Sequence, residues 1–327
     1  MKMRIAIVGA GAIGGWIGVR LAQQGHAISV LARGATLAAL KAGPWKLDIG
    51  GETLSADVTA SDDAADLGVQ DIVIVALKGP ALESVAPRLA PLIGPDTMIV
   101  PMMNGVPWWF TLGGAGDIAP SGLASIDPND TLAGALPLAS VIGNVVHAST
   151  FSSGPAYIVH KGGNRLIFGE PDGADSARLS QLVALFREAG FDAEASPRIR
   201  YEIWYKLWGN MTMNPISAFT GATCDRLLDD QLVAGFVLRI MDEAKAIGDR
   251  IGCRIEERGE DRNAVTRQLG AFKTSMLQDA EAGRPLEIDQ LLSAPREMAG
   301  KLGIETPNLD ALLGLTRLFA TTRGLYK

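Results

Sequence analysis

The sequence predicts an α/β protein in two parts, a layered α/β domain over residues 1–195 followed by an all-α domain over 196–327. Three observations carry that prediction. The chain opens on an apolar strand, Ile5-Ala6-Ile7-Val8, that runs into a glycine-rich turn and then a helical pattern. Further apolar runs of strand length follow at 27–31, 71–77 and 96–101. From Pro197 onward nearly every window has helical periodicity and few β-branched runs. A chain of 327 residues also exceeds the usual span of one hydrophobic core.

The first element is the most specific. The strand enters Gly9-Ala10-Gly11-Ala12-Ile13-Gly14, a G-x-G-x-x-G sequence, and a helical stretch over 16–24 and a turn at Gly25-His26 lead to the second strand at 27–31. This is one βαβ unit of the Rossmann type that binds dinucleotides. The first glycine permits the tight turn, the second lets backbone approach a pyrophosphate, and the third lets helix and strand pack closely. The phosphates face a helix N-terminus, whose unpaired N–H groups and macrodipole favour an anion. After the second strand an NAD site carries Asp or Glu for the ribose hydroxyl, but here the chain reads Leu31-Ala32-Arg33-Gly34. A guanidinium there can fork onto a 2′-phosphate, so the expected cofactor is NADP(H). The other reading of Arg33 is a solvated turn residue.

The runs at 71–77 and 96–101 read as buried parallel strands separated by a helical stretch at 81–92. Ligands in open α/β sheets bind beyond the C-terminal strand ends, which groups Gly9, Arg33, Lys78 and Asn104 around one crevice. The β-rich segment 141–169 is expected to extend that sheet. A helix at 175–189 and a short strand at 191–195 close the domain. The stretch 113–130, rich in Gly, Ala, Pro and Asp, reads as a long loop beside the crevice. Helical stretches then fall at 229–252, 257–282, 287–302 and 307–322.

Composition excludes several classes. A net charge of −6 with no polybasic run argues against a nucleic-acid partner. The two cysteines, Cys224 and Cys253, form no C-x-x-C or Cys/His cluster, so neither a disulfide framework nor a metal site is expected. The short apolar run before Gly9 is too brief for a signal peptide or membrane span, and a soluble cytoplasmic protein is expected. Apolar terminal helices are compatible with a homodimer.

The three histidines, His26, His147 and His160, lie in the first domain and none suits a catalytic base, so proton transfer falls elsewhere. In the segment 201–215, Lys206, Asn210 and Asn214 recur every four residues and stack on one face of an otherwise apolar and aromatic helix. Such a stripe either faces solvent or meets a polar ligand. Pro215 disfavours α geometry at Asn214, so the helix is expected to end or kink there and direct Asn214 outward. A second constellation spans Ser275-Met276-Leu277-Gln278-Asp279 and Gly283 to Asp289, where Gly283 and Pro285 break one helix and Glu287 starts the next. The helix dipole alone also accounts for Glu287.

Taken together, these segments resemble the ketopantoate reductases (2-dehydropantoate 2-reductases) over nearly the whole chain. The likeness rests on 9–14, Arg33, Leu77-Lys78, Met103-Asn104-Gly105-Val106, Lys206-Leu207, Asn210, Asn214-Pro215, the run 275–279 and Glu287-Ile288-Asp289, in that order. The resemblance implies that the N-terminal domain holds NADPH, while a helical domain similar to that of 6-phosphogluconate dehydrogenases closes over a 2-oxo acid. It implies that Arg33 binds the 2′-phosphate, that Lys78 lines the cofactor crevice and that Asn104 sits near nicotinamide and substrate. It implies Lys206 as general acid, with Asn210, Asn214, Ser275 and Glu287 orienting substrate and Glu287 part of the catalytic set. Hydride transfer to a ketone leaves negative charge on oxygen, which an ammonium can stabilise and protonate.

The chain departs from the family pattern in two places. Where a further substrate Asn is usual, about ten residues past the Asn-Pro pair, it reads Thr223-Cys224-Asp225. The Val106-Pro107-Trp108-Trp109-Phe110 segment and the loop after it look longer than usual. Two indoles beside the nicotinamide would suit a bulkier 2-oxo acid; packing residues are the other reading. A non-catalytic NADP(H)-binding sensor is the alternative of another class, and it would have no need of Lys206.

Overall fold

The computed structural model describes residues 2–268 and 270–326 and divides into two compact units. The first comprises Met1–Met103 with Thr131–Ile199, the second Asn104–Asp130 with Arg200–Lys327.

Among the described residues, the first unit contains ten strands: β1 (Arg4–Val8), β2 (Ala27–Leu31), β3 (Trp45–Ile49), β4 (Glu52–Ala56), β5 (Thr59–Ser61), β6 (Ile72–Val75), β7 (Met98–Pro101), β8 (Gly143–Gly154), β9 (Tyr157–Gly169) and β10 (Asp192–Ala195). Its helices are α1 (Ala12–Gln23), α2 (Gly34–Ala42), α3 (Gly79–Val85), α4 (Thr131–Ala135) and α5 (Ala177–Glu188). One sheet runs β5-β2-β1-β6-β7 with every pairing parallel. The Ile and Val runs of β1 and β6 form its centre because they are covered on both faces. The chain leaves β1 for one side of this sheet and returns through β6 to the other, which makes the C-terminal ends of β1 and β6 the topological switch point.

The segment expected to extend this sheet does not do so. β8 and β9 pair antiparallel with each other and, with β3, β4 and β10, build a second sheet. β9 is long enough to pair along one edge with β3 through Tyr157–Val159 and with β10 through Arg165–Phe168. An isolated parallel bridge, Ile99 to Val141, links β7 to the residues just before β8. The reason for a second sheet is α1, which lies between the two. A Cβ on Gly18 would stand 2.6 Å from the Trp45 ring of β3, and one on Gly15 would stand 2.4 Å from Ile158 of β9. This helix is buried from Gly14 to Leu21 and needs cover on both faces. It also starts four residues earlier than the periodicity predicts, directly after Gly11.

The second unit is helical: α6 (Ile199–Thr220), α7 (Cys224–Asp229), α8 (Gln231–Arg250), α9 (Gly259–Arg267), α10 (Ser275–Glu281), α11 (Ala294–Leu302) and α12 (Pro307–Thr322). The stretch 257–282 is therefore two helices, with Leu269 between them outside the described residues. A π-helical turn, Asp289–Ser293, leads into α11.

Two further expectations are corrected. Pro215 does not end α6, which continues five residues beyond it to Thr220. The imino ring removes one helical donor, but residues 211–218 are all buried, and their packing outweighs the roughly 3 kcal/mol that an interior proline costs. The segment Asn104–Asp130, counted with the first domain from sequence, groups with the helices. Val106 N donates to Gln290 O at 2.9 Å, Arg200 Nε to Phe110 O at 2.8 Å and Asp117 N to Arg250 O at 2.8 Å. The Glu297 carboxylate accepts from Ala124 N and Ser125 N.

Gly14 is the tightest point of the first unit, since a Cβ there would lie 2.1 Å from Gly9 O. Gly14→Ala should therefore destabilise the protein by about 3 kcal/mol, the upper range for overpacking, in urea unfolding.

Candidate active site

In the first unit, three loops meet at one edge of the parallel sheet. Gly9 N donates to Leu31 O at 3.2 Å and Ala76 N to Val8 O at 2.9 Å, which ties together the chain leaving β1, β2 and β6. Gly9 has φ +101°, and a Cβ there would meet Leu77 Cδ2 at 2.7 Å and Ala76 O at 2.9 Å. Gly11 is the N-cap of α1, and a Cβ built on it would find no atom within 4 Å. Two glycines are thus demanded by the fold, while the middle one faces open space at a helix N-terminus that has neither a side-chain cap nor an acid in its first turn. These residues fit the pyrophosphate of a dinucleotide. Ala12 and Ile13 form the first turn above it.

Arg33 follows β2 as the N-cap residue of α2, is exposed and makes no side-chain hydrogen bond or ion pair among the described residues. Lys78, at the N-cap of α3, follows β6 on the same edge. Asn104 begins the part of the chain that groups with the second unit.

There the candidates from distant parts of the chain converge. Asn104 Oδ1 accepts from Lys206 Nζ at 2.9 Å. Withdrawal from water lowers the Lys206 pKa from its ordinary value to about 8, against the nearby Glu287 carboxylate, which raises it. At Lys206 and Asn214 the stripe therefore faces protein groups rather than open solvent. Asn214 is buried and its Nδ2 points to Ser275 Oγ at 3.5 Å. Asn210, one turn before it, is partly exposed and makes no side-chain hydrogen bond among the described residues.

Two local devices hold this arrangement, and neither was visible in the sequence pattern. The first is the π turn, which immediately follows Glu287 and Ile288. Its Gln290 carbonyl receives Val106 N, and Gly105 (φ +75°) lies so close that a Cβ would stand 2.5 Å from Gln290 O. Asn104 is thereby pinned one residue from the turn that follows Glu287. The second is the C-terminal end of the chain. Leu286 N donates to Leu325 O at 3.0 Å, and Tyr326 Oη and Ser293 Oγ both donate to Asp289 Oδ1.

Ser275 starts α10, where the Thr274 side chain caps Leu277 N. Trp108 and Trp109 are buried core residues, Trp109 lying 6.2 Å from the Phe110 ring, so the packing reading holds for them. The loop that follows, 113–130, is fastened to α8 and α11 by the bonds given above. His160 stacks on Trp16 and His26 accepts from Met3 N, both structural roles.

The residues 5–173 match the model of the ketopantoate reductase PanE/ApbA family, and 198–320 match that of its C-terminal domain. The chain belongs to the ketopantoate reductase family. It is 41% identical over 325 residues to the 2-dehydropantoate 2-reductase of Mesorhizobium japonicum, covering 99% of this chain and 100% of the relative. Its fold superposes with a TM-score of 0.96 on a putative ketopantoate reductase from Ralstonia solanacearum, 57% identical over the full length of both chains. It superposes at 0.82 on the 2-dehydropantoate 2-reductase of Geobacter metallireducens, 27% identical and covering 96% and 99% of the two chains. As a member of this family the chain is an oxidoreductase with a dinucleotide-binding domain. Among the described residues no helix is long and apolar enough to cross a membrane, and no group of side chains is arranged to hold a metal ion.

In this ketopantoate reductase family member, Gly105→Ala should cost about 1–2 kcal/mol for the left-handed backbone alone and displace the Asn104 loop. The stability measured by urea unfolding and the reductase activity should both fall.

Proposed function

We propose that the protein reduces 2-dehydropantoate to pantoate with NADPH, Lys206 acting as the general acid. The observation that carries this reading is the ammonium of Lys206, drawn out of water beside Asn104 Oδ1 and within the field of Glu287. A nicotinamide held there would supply the hydride for the ketone carbon. Gly9, Gly11, Ala12, Ile13 and Gly14 would seat the pyrophosphate, Arg33 the 2′-phosphate, and Lys78 would line the same edge. Lys206 stabilises charge on the ketone oxygen and delivers the proton. Asn104 accepts one ammonium hydrogen and so aims the remaining ones. Glu287 keeps Lys206 protonated by opposing the effect of burial. Asn210, Asn214 and Ser275 supply neutral donors and acceptors for the hydroxyl and carboxylate ends of the substrate. The relatives named 2-dehydropantoate 2-reductase support the choice of ketone.

Loss of NADPH absorbance on adding 2-dehydropantoate tests the reading directly. Turnover with NADPH and little with NADH is expected, and Arg33→Asp should reverse that preference. No turnover of 2-dehydropantoate with either cofactor would overturn it. Lys206→Ala should lower kcat by about 10²–10⁴-fold with NADPH binding retained, the usual scale of acid catalysis.

The pH dependence has a definite sign. An acid with a pKa of about 8 is protonated below that pH, so kcat/KM for reduction should fall as pH rises through about 8. Glu287→Gln removes the influence that raises this pKa, and the falling limb should move to lower pH. A limb that stays in place or moves upward would remove Glu287 from this role.

A further inference from the structure

Beside the Lys206 turn of α6 stands a cation that the reading above does not use. Arg262, on α9, lies with Nη2 3.3 Å and Nε 3.5 Å from the place a Cβ on Gly209 would occupy. Its Cζ is 5.5 Å from the centroid of the Tyr205 ring. Gly209 is three residues past Lys206 and one before Asn210, so the guanidinium runs along the flank of the turn that carries both. The absence of a side chain at Gly209 is what admits it.

Among the described residues this guanidinium has no counter-ion. Nε is shut off from solvent without a hydrogen-bond partner, and Arg262 forms no ion pair among the described residues. Several arginines of the same unit are paired with carboxylates, among them Arg267 with Asp229, Arg284 with Asp279 and Arg250 with Asp117. The nearby Glu257 carboxylate accepts from the Tyr205 hydroxyl instead. An arginine held against an aromatic face, partly desolvated and with its fork unspent, presents the geometry that pairs with a carboxylate.

A 2-oxo acid carries its carboxylate on the carbon that bears the ketone, so the group that holds one oxygen pair must stand near the acid that protonates the other oxygen. Residues 206 and 209 are separated by roughly 4.5 Å along the helix axis, within side-chain reach of such a pair. We propose that Arg262 binds the carboxylate of the 2-oxo acid whose ketone Lys206 protonates, an assignment that rests on Lys206 being the acid. The site then selects for an anionic carbonyl compound, with Lys206 and Arg262 addressing adjacent carbons.

The test compares 2-dehydropantoate with its neutral methyl ester in wild type, Arg262→Gln and Gly209→Ala. Arg262→Gln should raise KM for the acid by about 10- to 100-fold, the range for a hydrogen bond to a charged group, with kcat and NADPH affinity nearly unchanged. KM for the ester should stay within about 2-fold, because the ester gives the guanidinium no charge to bind. Gly209→Ala crowds the far end of a flexible side chain and should shift the acid's KM in the same direction by a smaller factor; it serves equally if Arg262→Gln does not fold. Arg262→Lys should recover part of the loss. A wild type active on the acid whose preference over the ester survives Arg262→Gln and Gly209→Ala overturns the assignment of Arg262 alone. A wild type that reduces neither compound overturns the reductase reading and this inference with it.

Discussion

Much of the second unit is organised by one constraint, the removal of the Lys206 ammonium from water. A buried cation is tolerated only where acceptors and opposing charge are held in place. Asn104 supplies the acceptor at 2.9 Å and Glu287 the charge, and neither is near Lys206 in sequence. Asn104 is held by the Gly105 backbone lying on the Gln290 carbonyl, and Glu287 by the π turn and the C-terminal residues that bond to Leu286 and Asp289. The ordering of 104–130 against the helices follows from the same anchorage. Burial lowers the Lys206 pKa to about 8, and Glu287 opposes that shift.

The first unit solves a different problem with steric means. The Gly9 oxygen and the Gly14 position approach so closely that helix and strand leave no space for a side chain, while the position of Gly11 is open. The fold therefore accounts for the outer two glycines without any ligand, and only the middle one points to a function. On its other side α1 is held by Trp45 and Ile158, so the helix N-terminus is fixed from two sheets at once. A rigid anion site of this kind loses little entropy on binding.

Most of the architecture was legible from periodicity and turn chemistry. The parallel strands follow from short continuous apolar runs, the βαβ unit from such runs joined through the glycine turn, and the helical C-terminal half from a 3.6-residue period. The errors arose where local preference met packing. Pro215 is a helix breaker by itself, but burial of residues 211–218 carries α6 through it. Segment 141–169 reads as strands whichever sheet it joins, and only the need to cover the second face of α1 assigns it to the β3–β9 sheet. The indoles of Trp108 and Trp109 look alike whether they line a pocket or fill a core, and the structure puts them in the core.

By itself the sequence determined the dinucleotide loop, because G-x-G-x-x-G acts through the absence of side chains at three fixed positions within six consecutive residues. It also determined the polar stripe of α6, because a spacing of four residues places groups on one helix face. Tertiary structure alone decided which residues meet that stripe. Asn104 lies 102 residues from Lys206, and its approach depends on a left-handed glycine, a carbonyl in a π turn and the chain's last residues acting together. Such contacts have no period and no local signature, since their geometry is set by long-range packing rather than by the residues on either side.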